Sequence, residues 1–186
     1  MRLRIQLLLL LAAGIMLGWS ACKKYEDPPP TKGDNRLTNH YCNDPRAINY
    51  NWGFPGIADN SVCVYPVDSF IGTWKFMDSV FLEDQTFKSF AVKDLVFSAT
   101  EDTLMTHLAV TGWCNDKILY ATADKYKRAF LDSLMEGISG QLLCTPTDTI
   151  TGFFNQSNMG KDSMEIELTV TGNTGVLLHK GWAIKQ

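Results

Sequence analysis

The sequence predicts an all-β fold, a small antiparallel barrel of about seven to eight strands with one short helix. Three observations predict it. Met164–Val170 alternates apolar and polar residues without a break, the period of a half-buried strand. Thr171–Gly175 is a cluster of turn formers, after which alternation resumes through Val176, Leu178, Trp182 and Ile184, so the two runs read as a hairpin. Several more short runs precede them with turn residues between, a pattern that points to a sandwich or a closed barrel.

The chain starts with a different kind of segment. Arg2 and Arg4 lead into an apolar run ending near Leu17. That run is shorter than the roughly 20 apolar residues a spanning helix needs, and a basic start before a short apolar stretch is a secretory signal. Gly18, Ser20 and Ala21 then precede Cys22, Lys23 and Lys24. Ser20-Ala21-Cys22 resembles the lipobox of bacterial lipoproteins, with Trp19 where that motif has Leu. The resemblance implies cleavage after residue 21, lipidation of Cys22 and a lipid anchor in the outer membrane, facing the periplasm or the surface. The 17 basic and 20 acidic residues give a net charge of −3. Without Arg2 and Arg4 the balance is 15 against 20, or −5. No basic footprint for nucleic acid is present. Residues 22–41 carry Pro28, Pro29 and Pro30, a stiff extended spacer that reads as a tether.

The five cysteines support export. With Cys22 acylated, Cys42, Cys63, Cys114 and Cys144 remain to form two disulfides in an oxidising compartment. Residues 42–66 are too few to build a core and need a staple. The run Cys42-Asn43-Asp44-Pro45-Arg46-Ala47-Ile48-Asn49-Tyr50-Asn51, with Ser61-Val62-Cys63-Val64-Tyr65 after it, resembles a small disulfide module of exported Bacteroidetes proteins. Pairing Cys42 with Cys63 leaves Cys114 for Cys144. The oxygen-bearing side chains of Asp44, Asn49, Asn51, Asp59 and Asn60 admit two readings. They set the turns of the module, or they supply hard ligands to calcium, with only two carboxylates among them.

Residues 67–186 form the barrel. Phe70, Trp74, Phe76, Val80 and Leu82 share one face of a first run, and Leu104, Thr106, Leu108 and Val110 share one face of another. Phe90–Phe97, Ile118–Thr122 and Thr149–Phe154 are further candidates. Asp124–Ile138 carries Tyr126, Phe130, Leu131, Leu134 and Ile138 at helical spacing, with Asp124 as a cap, and predicts the helix. A strand around Phe130–Met135 is the alternative. Gly72-Thr73-Trp74 resembles the G-x-W signature of lipocalin-like barrels, and Gly181-Trp182-Ala183-Ile184-Lys185 resembles their last strand. The resemblance implies that Trp74 closes one barrel end. The apolar face would then line a site for a small hydrophobic ligand through Trp74, Phe76, Leu104, Leu108, Ile166, Leu168, Leu178 and Trp182. The alternative is a barrel filled by those same side chains, with the function on its surface and an envelope protein as partner.

No enzyme is read here and no cofactor is expected. His40, His107 and His179 are far apart in sequence, and the alternation places His107 and His179 on outward faces. Glu165 and Glu167 fall on a solvated face. The lipid anchor generates the first prediction. Metabolic labelling with a palmitate analogue is expected to tag the wild-type chain and to miss Cys22→Ala; equal labelling of both contradicts it.

Overall fold

The computed structural model describes residues 35–51, 55–114, 117–133, 140–145, 147–156 and 160–186. The chain divides after Thr38, and of the leading unit only the 3-10 turn Asn35–Thr38 is described. Asn39–Gln186 is the second unit and holds both the disulfide module and the barrel.

The module contains two short parallel strands, β1 (His40–Tyr41) and β2 (Ile57–Ala58). Cys42 is disulfide-bonded to Cys63. A staple closing a loop of this length contributes about 3 kcal/mol by restricting the unfolded chain. Trp52 lies outside the described residues.

The barrel strands are β3 (Gly72–Leu82), β4 (Phe87–Ala99), β5 (His107–Thr111), β6 (Leu119–Ala123), β7 (Arg128–Leu131), β8 (Gln141–Leu142), β9 (Thr149–Asn155), β10 (Ser163–Gly172) and β11 (Gly175–Lys185). Each pairs antiparallel with its successor, except that β9 pairs with β8 through its first residues and with β7 through its last. Pairing of β11 with β3 returns the sheet to its start. Eight strands thus form a closed ring, with β8 as a short addition. The helix expected over 124–138 is not formed at its start. Asp124 is a turn former there, its carboxylate accepting the backbone N–H groups of Tyr126 and Arg128. Lys127 takes a left-handed φ of 61° and β7 follows. The alternation Ala129 in, Phe130 out, Leu131 in replaces the helical period. Residues 134–139 lie outside the described residues.

The inward face is continuous. Trp74, Phe76, Leu95, Phe97, Leu108, Ile150, Phe154, Met164 and Ile166 are fully buried. Small residues make room for the rings; Ala183, for example, stands opposite Phe76 in register. Before β3, the 3-10 turn Pro66–Ser69 buries Val67 and leads to Phe70, whose carbonyl accepts the Trp74 indole N–H at 2.6 Å. The Lys185 ammonium sits 5.4 Å from the Trp74 ring centroid, a cation–π contact that closes the first strand against the last. Gly181 marks the tightest approach between those strands: a Cβ there would stand 1.9 Å from the Met77 carbonyl oxygen.

These contacts generate the second prediction. Trp74→Ala removes a fully buried ring and its hydrogen bond, and is expected to lower stability by about 3–5 kcal/mol in a urea melt. Trp182, half exposed on the last strand, is expected to change stability by only about 0.5 kcal/mol when cut to Ala. Equal midpoints for Trp74→Ala and wild type contradict the register.

Candidate functional site

The eight residues expected to line a ligand site separate into two groups. Trp74, Phe76, Leu108, Ile166 and Leu168 point into the barrel and are buried among one another. Leu104, Leu178 and Trp182 do not. Leu104 precedes β5 in a turn and is 57% exposed. Leu178 and Trp182 lie on the outward face of β11, because the residues that face inward there are Leu177, His179, Gly181 and Ala183. The buried group also fills the space a ligand would take. A ligand-sized void leaves solvent-accessible surface on its walls, and Trp74, Phe76, Leu108 and Ile166 have none.

One buried polar group was not anticipated. Asp78, between Phe76 and Val80 on the inward face of β3, is fully buried. Its carboxylate meets Nδ1 of His179 on β11 at 2.9 Å and accepts a hydrogen bond from Nζ of Lys93 on β4 at 2.5 Å. His179 is therefore an inward residue, contrary to the outward position read from its alternation. The neighbouring strand explains the difference: an aspartate enclosed on β3 needs a partner from the strand beside it. β5 ends at Thr111, and the chain turns at Gly112, whose φ of +93° and close approach to the Asp94 carbonyl exclude a side chain. Trp113 is thereby laid across the cluster. Its ring centroid lies 5.0 Å from that of His179 and 4.9 Å from Nζ of Lys93. The following residue, Cys114, is disulfide-bonded to Cys144. Burial opposes ionisation of Asp78, but the bonds from His179 and Lys93 outweigh it and hold the carboxyl below its ordinary value. A local signal existed: Asp78 occupies an apolar face. Its partner His179 lies 101 residues away.

His107 faces outward as expected, its Nδ1 2.5 Å from the Asp102 carboxylate. The module's side chains are engaged locally. Asp44 accepts from Nε, Nη2 and the backbone N–H of Arg46 and from the Tyr65 hydroxyl, and the Arg46 bonds hold it far below the usual carboxylate range. Asn49 bridges the Val62 carbonyl and the Val64 N–H. Asp59 accepts from the Ser61 N–H and contacts His40, and with these bonds its pKa falls to about 2. These are the contacts of turns and ion pairs. Asn51 donates its N–H to the Cys42 carbonyl and the Asn60 carbonyl accepts from the Cys63 N–H. Among the described residues no three His, Cys, Asp or Glu side chains converge.

The outward face of β4, β3 and β11 carries the remaining feature. Rows across it run Leu178, Phe81, Phe87 and then Lys180, Ser79, Phe90 and then Trp182, Met77, Val92. Phe87 and Phe90 are each 58% exposed, Val92 is 55% and Trp182 49% exposed. A shallow groove of about 430 Å³ runs between Phe81, Phe90 and Trp182, with Glu165, Glu167 and Lys180 along it. This is contiguous exposed apolar surface edged by charge, unlike apolar residues scattered singly over a surface.

No family model matches the chain, and no curated protein matches it. Among solved structures, a protein of unknown function from the DUF3598 family of Nostoc punctiforme PCC 73102 is similar at 9% identity and a TM-score of 0.39, over 64% of this chain and 49% of that one. The match thus spans about half the length of that protein.

The buried cluster generates the third prediction. The folded pKa of Asp78 lies below its unfolded value near 3.8, so it contributes stability above that pH and loses it as pH falls through the folded value. Asp44, Asp59 and Asp102 have lowered values too, so the wild type as a whole weakens below about pH 4. Lys93→Met removes one of the two groups that hold Asp78 ionised. The variant is expected to be less stable at pH 7 and to lose less on acidification from pH 5 to pH 2, measured by urea melts. Identical losses in the two proteins contradict the role given to Lys93.

Proposed function

We propose that this chain is a non-enzymatic envelope lipoprotein, anchored through Cys22, whose filled barrel is a rigid scaffold for binding another protein. The observation that carries the reading is the distribution of apolar residues. The interior side chains occupy one another's space, while an unpartnered apolar face lies outside on β4, β3 and β11. Each strand of the eight-strand ring has a paired neighbour on both sides, and the two-residue β8, with one side unpaired, is too short for strand addition, so a partner is taken by side chains on the outer face. The partner fitting that face presents an apolar centre and a basic rim, because two carboxylates, Glu165 and Glu167, border the groove against one lysine, Lys180. The proline-rich tether of residues 22–41 gives the barrel reach from the membrane. A lipocalin-like origin is compatible with the G-x-W turn and with Trp74 seated at the start of the first strand.

A photo-reactive phenylalanine analogue tests the reading. Placed at Phe90 or Trp182 in cells that make the native lipoprotein, it is expected to give one discrete adduct with a second, different protein. The adduct should weaken at least fivefold when Val92 is changed to Glu. The same analogue at Tyr120, on the opposite side of the ring, is expected to give none. Equal adducts from all three positions, or none from any, overturn it. An adduct of twice the mass of this chain assigns the face to a second copy instead and also overturns it.

A further inference from the structure

Where the module meets the barrel, a cleft of about 330 Å³ is lined by three lysines from three separate elements. Lys127 belongs to the turn between β6 and β7, Lys161 to the loop between β9 and β10, and Lys185 ends β11. Hydrogen bonds to the backbone hold all three positions. The Lys127 carbonyl accepts from the Gln156 N–H at 2.9 Å, and the buried Gln156 side chain donates to the Lys161 carbonyl at 2.7 Å. The Lys185 N–H donates to the Asp162 carbonyl at 3.0 Å. These bonds thus hold the backbones of three lysines beside one space that all three line.

The charges in that space do not cancel. None of the three ammonium groups forms an ion pair with a carboxylate among the described residues, and Lys185 rests over the Trp74 ring. Two carboxylates line the cleft. Asp68 accepts the Tyr65 N–H at 2.7 Å and caps the turn Pro66–Ser69, and Asp162 is exposed on its loop. The far wall is apolar. Ile48 and Val64 of the module stand there, joined by a main-chain bond of 2.8 Å from the Ile48 N–H to the Val64 carbonyl. The hydroxyl of Ser69 adds a neutral donor.

We infer that this cleft binds a small organic oxyanion, a phosphate or carboxylate on a compact apolar body. The three ammonium groups take the oxyanion and the Ile48–Val64 wall takes the body. Lysines act here as point charges, so the oxyanion's chemical type is set less by the lysines than by the room beside them. The site is separate from the outer face of β4, β3 and β11, and it stands or falls independently of the protein-binding reading.

The test uses the full chain, with backbone amide NMR shifts as readout and inorganic phosphate, phenyl phosphate and benzoate as probes. Phenyl phosphate or benzoate is expected to give saturable shifts at Lys127, Gln156 and Lys161, with at least fivefold weaker binding for inorganic phosphate, which lacks the body. Whichever of the two organic probes binds tighter identifies the oxyanion. The double variant Lys127→Met, Lys161→Met loses no ion pair and is expected to keep its amide spectrum elsewhere while binding at least tenfold more weakly. Val64→Ser is expected to weaken the organic probes and leave inorganic phosphate unchanged. Absence of saturable shifts with all three probes overturns the inference. So does unchanged binding by a folded double variant. If the double variant does not fold, Lys161→Met alone, exposed on its loop, must still weaken binding at least threefold.

Discussion

Pairing of β11 with β3, from Leu177 opposite Leu82 to Lys185 opposite Trp74, closes the ring, and the rest of the molecule follows from that closure. Once closed, an eight-strand sheet has no free edge, and its inward side chains share one enclosed volume. That volume is just wide enough for side chains to fill. Here they do, with Phe97 edge-on to Phe154 at 5.0 Å and stacked on Phe70 at 6.4 Å. The exposed apolar rows and the lysine cleft both lie outside that packed volume.

Closure also accounts for the polar cluster. Because β11 lies beside β3, an inward aspartate on β3 and an inward histidine on β11 become neighbours whatever their distance in sequence. A carboxylate enclosed with no partner would cost several kcal/mol. His179 and Lys93 flank Asp78 from the two adjacent strands, and Trp113 shields the group from solvent. The disulfide Cys114–Cys144 fixes the chain immediately after Trp113. This arrangement adds side-chain hydrogen bonds across three strands to their backbone ladders.

The fold class was legible because period-two alternation is a local property. Met164–Val170, the Gly172–Gly175 turn and the face holding Trp74 and Phe76 all lie where the alternation places them. The last strand shows where that signal ends. Both faces of β11 are partly apolar, and alternation distinguishes two faces without saying which one is buried. The larger residues, Leu178, Trp182 and Ile184, face out, because the interior beside Trp74 and Phe76 has room only for Ala183 and Gly181. The segment after Asp124 fails for a different reason. Its helical spacing is genuine, but the Asp124 side chain bonds the turn at Tyr126 and Arg128 and starts a hairpin. The lysine cleft left no trace in the sequence, since its members come from three turns and strand ends that only the closed barrel brings together.

The central claim is that the barrel interior is occupied by its own side chains. Titration of the purified chain with a fluorescent fatty-acid analogue tests it most directly, with the analogue's own emission as the readout. The account predicts no saturable rise in that emission. A one-to-one saturable rise that persists when Val92→Glu charges the outer apolar face would contradict it, and would show that the interior opens to admit a ligand.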